Sequence, residues 1–234
     1  KQADSESEYL TAVDHLSIKM YSGEIFALLG HNGAGKTTTI SMLTGMLEAS
    51  SGIVKCFGKY MIAEGVEVSA NELYSDLEYI RQIMGICPQH DILFDTVTVK
   101  EHLDIFCDFK GVPVHLKEAK IQKVMKDVGV DVHQDTQSKD LSGGNRRKLS
   151  VALALVADSK LVLLDEPTSG MDLNARRRLW DMLKDYKKDR IIILTTHNMD
   201  EADLLGDRIG IMSQGILECL GSGVFLKNQY ECGY

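Results

Sequence analysis

One glycine-rich segment, "GHNGAGKTT" at residues 30–38, restricts the fold of this 234-residue chain more than any other feature. It follows the apolar run "IFALL" and precedes the helix-like run "TISMLTGML". Alternating apolar residues and a Ser-Gly turn before "IFALL" predict a β-hairpin over residues 12–29, with a buried second strand. The spacing of Gly30, Gly35, Lys36 and Thr37 matches the pattern G-x-x-x-x-G-K-[ST], which needs a strand before it and a helix after it. Strands and helices alternate along the rest of the chain. This order predicts an α/β fold with a mostly parallel sheet.

The chemistry of the segment points to a phosphate. Its glycines let backbone N–H groups turn inward, and the helix N-terminus adds partial positive charge. Lys36 is expected to reach the β- and γ-phosphates of a nucleoside triphosphate, and the Thr37 hydroxyl to hold Mg²⁺. A tight turn that binds nothing is the alternative, and the combined strand, spacing, Lys and Thr argue against it. The predicted nucleotide-binding residues of the loop are Gly30, His31, Asn32, Gly33, Ala34, Gly35, Lys36, Thr37 and Thr38.

Two further apolar runs end in polar side chains. In "LVLLDEP" at residues 161–167, four apolar residues suit a strand buried on both faces, and Asp165 and Glu166 follow them. Asp165 is predicted to hold Mg²⁺ through water, and Glu166 is a candidate base for the attacking water. An N-capping aspartate with a solvated glutamate is the alternative. "IIILTTH" has the same form, so His197 is predicted to contact the γ-phosphate.

A second glycine pair occurs in "LSGGN" at residues 141–145. No apolar strand precedes it and no Gly-Lys-Thr follows, so it is not a second phosphate loop. It does open a helix, since apolar residues recur at three- and four-residue spacing at Leu149, Ala152, Leu153 and Val156. The free N–H groups and dipole of that helix predict an anion site without a nucleotide of its own.

Five segments in this order, "GHNGAGKTT", "CPQH", "LSGGN", "LVLLDEPTSGMD" and "TTHNMDEAD", resemble the nucleotide-binding domain of ABC transporters. The resemblance covers nearly the whole chain. The wording "ICPQHDILFDTVTVKEHL" is similar to subfamily A, large eukaryotic membrane proteins that mostly move lipids. The resemblance implies a P-loop NTPase of the ABC ATPase fold, a single domain over residues 1–234 excised from a larger membrane protein. It also implies an N-terminal antiparallel β subdomain and a helical signature subdomain at about residues 98–157.

The same resemblance implies roles in a head-to-tail pair of such domains, in which each signature helix covers the γ-phosphate of the partner's ATP. Gln89 then contacts Mg²⁺ and senses the membrane domains, Glu166 is the catalytic base, and His197 is the switch histidine. The implied signature residues are Leu141, Ser142, Gly143, Gly144 and Asn145. The implied dimer-interface loop is Ser169, Gly170, Met171 and Asp172.

Three features depart from the family pattern. Asn145 replaces the usual glutamine with a shorter amide, which leaves open whether the composite site hydrolyses ATP. The stretch 61–76 is longer than usual, and residues 61–80 are expected to form an irregular surface insertion. The family stacks adenine on an aromatic side chain upstream of the phosphate loop. Tyr9 is the predicted counterpart, and Tyr21 is the alternative.

Composition narrows the possible partners. A net charge of −8 disfavours nucleic acid as a binding partner. No apolar run approaches the roughly 18 residues that a membrane-spanning helix needs. Five scattered cysteines without metal spacing predict reduced thiols. The preferred hypothesis is an ATPase motor, using ATP and Mg²⁺, on the cytoplasmic face of a membrane, with transmembrane domains and a second nucleotide-binding domain as partners. A soluble ABC-type ATPase acting on ribosomes or chromosomes is less favoured, and a binding module that dimerises with little hydrolysis stays open.

Overall fold

The computed structural model of the chain describes residues 11–64 and 70–230. The strands of the described residues are β1 (Glu24–Leu29), β2 (Gly52–Cys56), β3 (Lys59–Glu64), β4 (Met84–Cys87), β5 (Leu161–Asp165), β6 (Ile191–Thr196), β7 (Arg208–Ser213) and β8 (Ile216–Gly221). The α-helices are α1 (Lys36–Leu43), α2 (Ala70–Ile83), α3 (Val99–Phe109), α4 (Val114–Val128), α5 (Gly143–Leu155), α6 (Leu173–Tyr186), α7 (Met199–Leu205) and α8 (Gly223–Gln229). Short 3₁₀ turns cover Asp131–His133 and Ser138–Asp140.

Six strands form the main sheet in the order β4-β5-β6-β1-β7-β8. The first five strands of that order pair in parallel, and only β8 pairs antiparallel, with β7. Strands β2 and β3 pair antiparallel in a separate two-stranded sheet. The predicted α/β fold with a mostly parallel sheet is confirmed.

The central strand β1 is buried over its whole length and separates two apolar cores. Ile25 and Ala27 point to one face, in a core that also contains the buried residues of α3 to α7. Phe26 and Leu28 point to the other face, in a smaller core with residues of α1 and α2. This alternation follows from the two-residue period of a strand, so the uninterrupted apolar run "IFALL" reflects burial on both sides.

The region predicted as helical, residues 98–157, contains α3, α4 and α5. The break between α3 and α4 lies at Gly111 and Pro113, two residues that commonly end or interrupt helices. Thr98 begins α3 with a capping box, because its side chain accepts from the Glu101 N–H while the Glu101 carboxylate accepts from the Thr98 N–H. Helix α4 ends at Gly129, whose φ of 72° suits a glycine terminator.

Two sequence predictions are wrong in this part of the molecule. The expected hairpin over residues 12–29 has only its second strand, because residues 16–21 form no strand. Their backbone instead accepts a hydrogen bond at 2.6 Å from the Arg208 guanidinium to the Lys19 carbonyl, while Ile18 and Met20 pack on the smaller core. The expected irregular insertion over 61–80 contains the end of β3 and most of α2, and lies partly outside the described residues. Pairing with β2 and burial of Ile80 stabilise these elements.

The remaining features concern the end of the chain and its thiols. Helix α8 was not predicted; the Ser222 hydroxyl caps it by accepting from the Phe225 N–H at 3.2 Å. The four described cysteines, Cys56, Cys87, Cys107 and Cys219, are free thiols. None of the helices in the described residues combines the length and apolarity needed to cross a bilayer.

Candidate nucleotide site

Four neighbouring parallel strands supply the predicted site residues. Gly30 follows β1, Gln89 follows β4, Asp165 and Glu166 stand at the end of β5, and His197 follows β6. Because β4, β5, β6 and β1 are adjacent and parallel, their carboxyl ends meet at one edge of the sheet. This edge is where open α/β sheets bind ligands.

Backbone geometry explains the glycines of the phosphate loop. Gly33 and Gly35 have φ angles of 82° and 101°, which glycine adopts without strain. A Cβ on Gly35 would lie 2.6 Å from the Ala12 carbonyl oxygen, and one on Gly30 would lie 2.5 Å from the Met212 carbonyl oxygen. Neither Gly30 nor Gly35 can therefore carry a side chain in this arrangement.

Lys36 is the first residue of α1 and lies buried under the loop. Its Nζ donates to the carbonyl oxygens of Gly30 at 2.8 Å and His31 at 3.0 Å. Burial lowers the pKa of Lys36, while the negative charges of Glu166 and Asp165 act in the opposite direction. The lysine thus holds the loop together and faces two carboxylates.

A cavity of about 740 Å³ opens above the loop. Predicted residues from three strand ends line it, namely Asn32, Gly33, Gly35, Lys36, Thr37, Thr38, Gln89 and Glu166. Gly30, His31 and Ala34 do not line it; their backbone carbonyls instead accept hydrogen bonds that shape the loop. The volume and the polar side chains among the lining residues are suited to a nucleotide-sized anionic ligand.

The cavity also has lining residues that sequence reasoning missed, among them Ala12 and the turn residues Gln214 and Gly215. The Gly215 N–H donates to the Ala34 carbonyl at 3.0 Å, so the β7–β8 turn buttresses the loop. The only signal in the sequence is the "SQG" turn, which by itself indicates no contact with residue 34.

The adenine-stacking prediction has no structural support here. Tyr9 lies outside the described residues. Tyr21 is 58% exposed, with the Arg208 guanidinium 5.6 Å above its ring, and it does not line the cavity. The structure therefore does not place Tyr21 at the cavity, and its assignment to adenine stacking stays a prediction.

Asp165, Glu166 and His197 form a connected group. Asp165 is buried and accepts a hydrogen bond from the Thr195 hydroxyl. The Glu166 N–H donates to Thr195, and the backbone of Glu166 has a φ of 49°, which is strained for a residue other than glycine. The Glu166 Oε1 lies 3.2 Å from the His197 Nδ1. The glutamate thus reaches both the cavity and the histidine.

The predicted signature residues lie at the start of α5, and none of them lines the cavity. Ser142 caps α5 by accepting from the Asn145 N–H at 3.3 Å. A Cβ on Gly143 would meet no atom within 4 Å, so the helix start is open to a ligand. The Asn145 amide lies 3.1 Å from the His133 Nε2, a contact that sequence reasoning missed.

The predicted dimer loop also contributes to the stability of its own chain. Met171 is buried, and the Asp172 side chain caps α6 by accepting from the Ala175 N–H at 3.0 Å. This hydrogen bond lowers the pKa of Asp172. Ser169, Gly170 and Asp172 are exposed, so these three residues are open to a partner.

The family model described as "ABC transporter" matches residues 13–169, more than half of the chain. The chain belongs to the ABC transporter family. Two relatives agree with subfamily A: human "Phospholipid-transporting ATPase ABCA3" is 49% identical over 95% of the chain, and mouse "Retinal-specific phospholipid-transporting ATPase ABCA4" is 48% identical over 95%. The predicted family and the subfamily resemblance are confirmed. The matched part covers 12% and 9% of the two relatives, about a tenth of their length.

Two solved structures have the fold of this ABC ATPase domain. "Structure of ATP binding subunit of ABC transporter" has a TM-score of 0.82 and 23% identity, and covers 94% of this chain and 87% of its own. "Dimeric structure of a post-hydrolysis state of the ATP-binding cassette MJ0796 bound to ADP and Pi" has a TM-score of 0.79 and 20% identity, with 90% of each chain covered. The predicted ABC ATPase fold is confirmed.

Proposed function

We propose that this ABC ATPase domain binds ATP with Mg²⁺ at the carboxyl edge of its sheet and hydrolyses it. The observation that carries the proposal is the shared cavity of Lys36, Thr37, Gln89 and Glu166. Lys36 and the first turn of α1 bind the phosphates, and Glu166 accepts a proton from the attacking water. His197, 3.2 Å from Glu166, orients that carboxylate and contacts the γ-phosphate.

The residues near the phosphate loop suit Mg²⁺ in their chemistry. Thr37 offers a hydroxyl, Gln89 an amide and Asp165 a carboxylate, and Mg²⁺ prefers oxygen ligands together with phosphate and water. The Thr195 hydroxyl fixes the buried Asp165, which fits a carboxylate acting through water. A Mg²⁺ ion held by these residues would neutralise phosphate charge.

The signature residues serve a second copy of the site. Leu141 to Asn145 lie outside the cavity of their own chain, and the helix start at Ser142 and Gly143 is open. Its N–H groups and dipole favour an anion. In a head-to-tail pair this start covers the γ-phosphate held by the partner, with Ser169 and Gly170 at the interface.

The names of the relatives support a proposal for the process that ATP hydrolysis drives. ABCA3 and ABCA4 are named as phospholipid-transporting ATPases. The domain therefore powers movement of a phospholipid or another hydrophobic substrate, on the cytoplasmic face of a membrane and beside transmembrane domains. The net charge of −8 argues against nucleic acid as a partner. Tyr9 is assigned to adenine stacking on the family resemblance.

A second candidate function rests on Asn145. Its amide lies 3.1 Å from the His133 Nε2 of its own chain, and a hydrogen bond there competes with a contact to the partner's nucleotide. A domain with this contact intact would close on ATP and turn it over little, and would act as a regulatory module.

The dependence of hydrolysis on protein concentration tests the proposal. If each site needs the signature helix of a second copy, the specific activity of the chain rises with its concentration, because the copies meet by diffusion. Constant specific activity over a wide concentration range contradicts the composite site. ATP-dependent dimerisation without phosphate release supports the regulatory alternative.

A further inference from the structure

Arg147 lies buried in the second turn of α5, and its side chain is 3% exposed. Its guanidinium donates five hydrogen bonds. It donates to the carbonyl oxygens of Pro88 (2.6 Å), Glu166 (3.0 Å), Pro167 (3.3 Å) and Asp165, and to the Asp91 carboxylate (3.0 Å).

These acceptors belong to two loops of the nucleotide site. Pro88 and Asp91 flank Gln89 in the loop after β4, whereas the carbonyls of Asp165 and Glu166 lie at the turn after β5. A hydroxyl on the same helix strengthens the first connection, because Ser150 donates to the Asp91 carboxylate at 2.8 Å. Arg147 of α5 therefore contacts both loops, and Ser150 of the same helix contacts the loop after β4.

The turn at Glu166 needs such support. A φ of 49° is strained in a non-glycine residue and persists only where surrounding contacts enforce it. Thr195 holds the N–H of Glu166, and Arg147 holds its carbonyl. Together these contacts fix the direction in which the carboxylate leaves the backbone, toward the cavity and His197.

We propose that Arg147 is a positioning residue for the ATPase reaction, holding the Gln89 loop and the Glu166 turn in fixed relation to the signature helix. The role rests on the proposed ATP site. Because Ser142 begins the same helix, a shift of α5 on closure with a partner moves the Mg²⁺ loop and the catalytic base together. Arg147 itself does not line the cavity.

Lysine cannot replace this side chain. The planar guanidinium presents five donors in a fixed fork, whereas an ammonium is a compact point charge with three. Arg147→Lys keeps the positive charge but leaves some of the backbone carbonyl oxygens that Arg147 contacts without a donor. We expect turnover to fall about tenfold to a hundredfold, the effect of misplacing a catalytic group by about 1 Å. ATP affinity changes little, since Lys36 and its loop are untouched.

The matched control is Arg190→Lys. Arg190 donates to the Ser159 carbonyl and the Asp158 carboxylate, and its side chain is 16% exposed. It precedes β6 and therefore lies at the amino end of the sheet, opposite the site. For both variants and the parent chain, we would measure thermal unfolding, ATP affinity by calorimetry, and turnover as a function of Mg²⁺ concentration.

If Arg147 positions the two loops, Arg147→Lys has lower turnover and a higher Mg²⁺ requirement than the parent but the same ATP affinity. Arg190→Lys matches the parent in all three quantities. Equal turnover and Mg²⁺ dependence in the two variants would overturn the positioning role. If Arg147→Lys does not fold, Asp91→Ala, which frees the Gln89 loop alone, must raise the Mg²⁺ requirement or the role is wrong. A parent chain that binds no ATP refutes the proposed function itself, whereas a hydrolysing parent with an unaffected Arg147→Lys refutes only the positioning role.

Discussion

The His197 Nδ1 lies 3.2 Å from the Glu166 Oε1, although the two residues follow different strands and stand 31 positions apart in the chain. The side chain of Glu166 is 11% exposed and that of His197 is 59% exposed. A shielded carboxylate that lines the cavity thus has a solvent-facing partner outside the lining, the arrangement expected of a base and the group that orients it.

Glu166→Gln should remove hydrolysis and preserve ATP binding, because the amide keeps the shape of the carboxylate but cannot accept the proton. Loss of a general base costs on the order of 10²–10⁴ in rate. Phosphate release and calorimetric ATP titration measure the two effects separately. Glu118→Gln, on the exposed face of α4, is the control and should behave as the parent. Parental turnover in Glu166→Gln would assign the base to another residue.

His197→Ala should lower turnover at least about tenfold by freeing the Glu166 side chain, consistent with the cost of misplacing a catalytic group. ATP affinity should fall less than turnover, since Lys36 is unchanged. His115→Ala, an exposed histidine on α4, controls for removal of an imidazole. If both variants hydrolyse ATP at the same rate, the contact between His197 and Glu166 does not contribute to catalysis.

Lys36→Ala should weaken ATP binding at least about tenfold, because a charge-assisted hydrogen bond contributes about 1.5–3 kcal/mol. The variant also loses the hydrogen bonds to Gly30 and His31, so circular dichroism must first show that it is folded. Lys188→Ala, an exposed position after α6, is the control. Unchanged affinity in folded Lys36→Ala would contradict the assignment of the phosphate loop.

His102 should make folding sensitive to acid. It is buried, its Nε2 accepts from the Phe94 N–H at 2.9 Å, and its Nδ1 lies 2.8 Å from the Thr98 carbonyl. Burial lowers the pKa of His102 below its ordinary value. Between the lowered pKa and the ordinary value of about 6.5, the unfolded state binds more protons than the folded state. The contribution of His102 to the free energy of unfolding is therefore lost as the pH falls through this range.

Denaturant unfolding of the parent and of His102→Gln from pH 7 to pH 5 checks this effect. The free energy of unfolding should fall more steeply with decreasing pH in the parent than in the variant. Parallel curves would show that His102 does not contribute to the acid sensitivity.

The fold was largely predictable because its strongest signals are local. The run "IFALL", the loop around Lys36 and the run "LVLLD" each indicate a buried strand or a phosphate turn from their own residues. Their convergence follows from parallel strand order, since adjacent carboxyl ends share an edge. The chemistry of Asp165 and Glu166 could therefore be proposed from the sequence before any distance was known.

The missed features depend on distant contacts. Nothing in the "SQG" turn indicates that Gly215 donates to Ala34, and nothing in "RRK" distinguishes buried Arg147 from its neighbours. Leu16, Ile18 and Met20 alternate as in a strand, but a side chain from β7, Arg208, accounts for a hydrogen bond that a partner strand would have made. Alternating apolar residues indicate that one face of a segment is buried. They do not indicate which group makes the hydrogen bonds to its backbone N–H and C=O groups.

The central claim, that "LSGGN" completes the ATP site of a second copy, is tested most directly by mixing two inactive variants. Ser142→Arg fills the anion site with a long side chain and keeps the phosphate loop, whereas Lys36→Ala keeps the signature helix and loses the loop. Ser51→Arg, in an exposed loop, controls for the added charge.

The measurement is the rate of phosphate release from each variant alone and from their mixture at the same total concentration. Neither variant alone should hydrolyse ATP, and the mixture should, because each mixed pair assembles one intact composite site out of two. An inactive mixture of folded variants, with activity of the parent strictly proportional to its concentration, would show that "LSGGN" serves its own chain and would contradict the head-to-tail site.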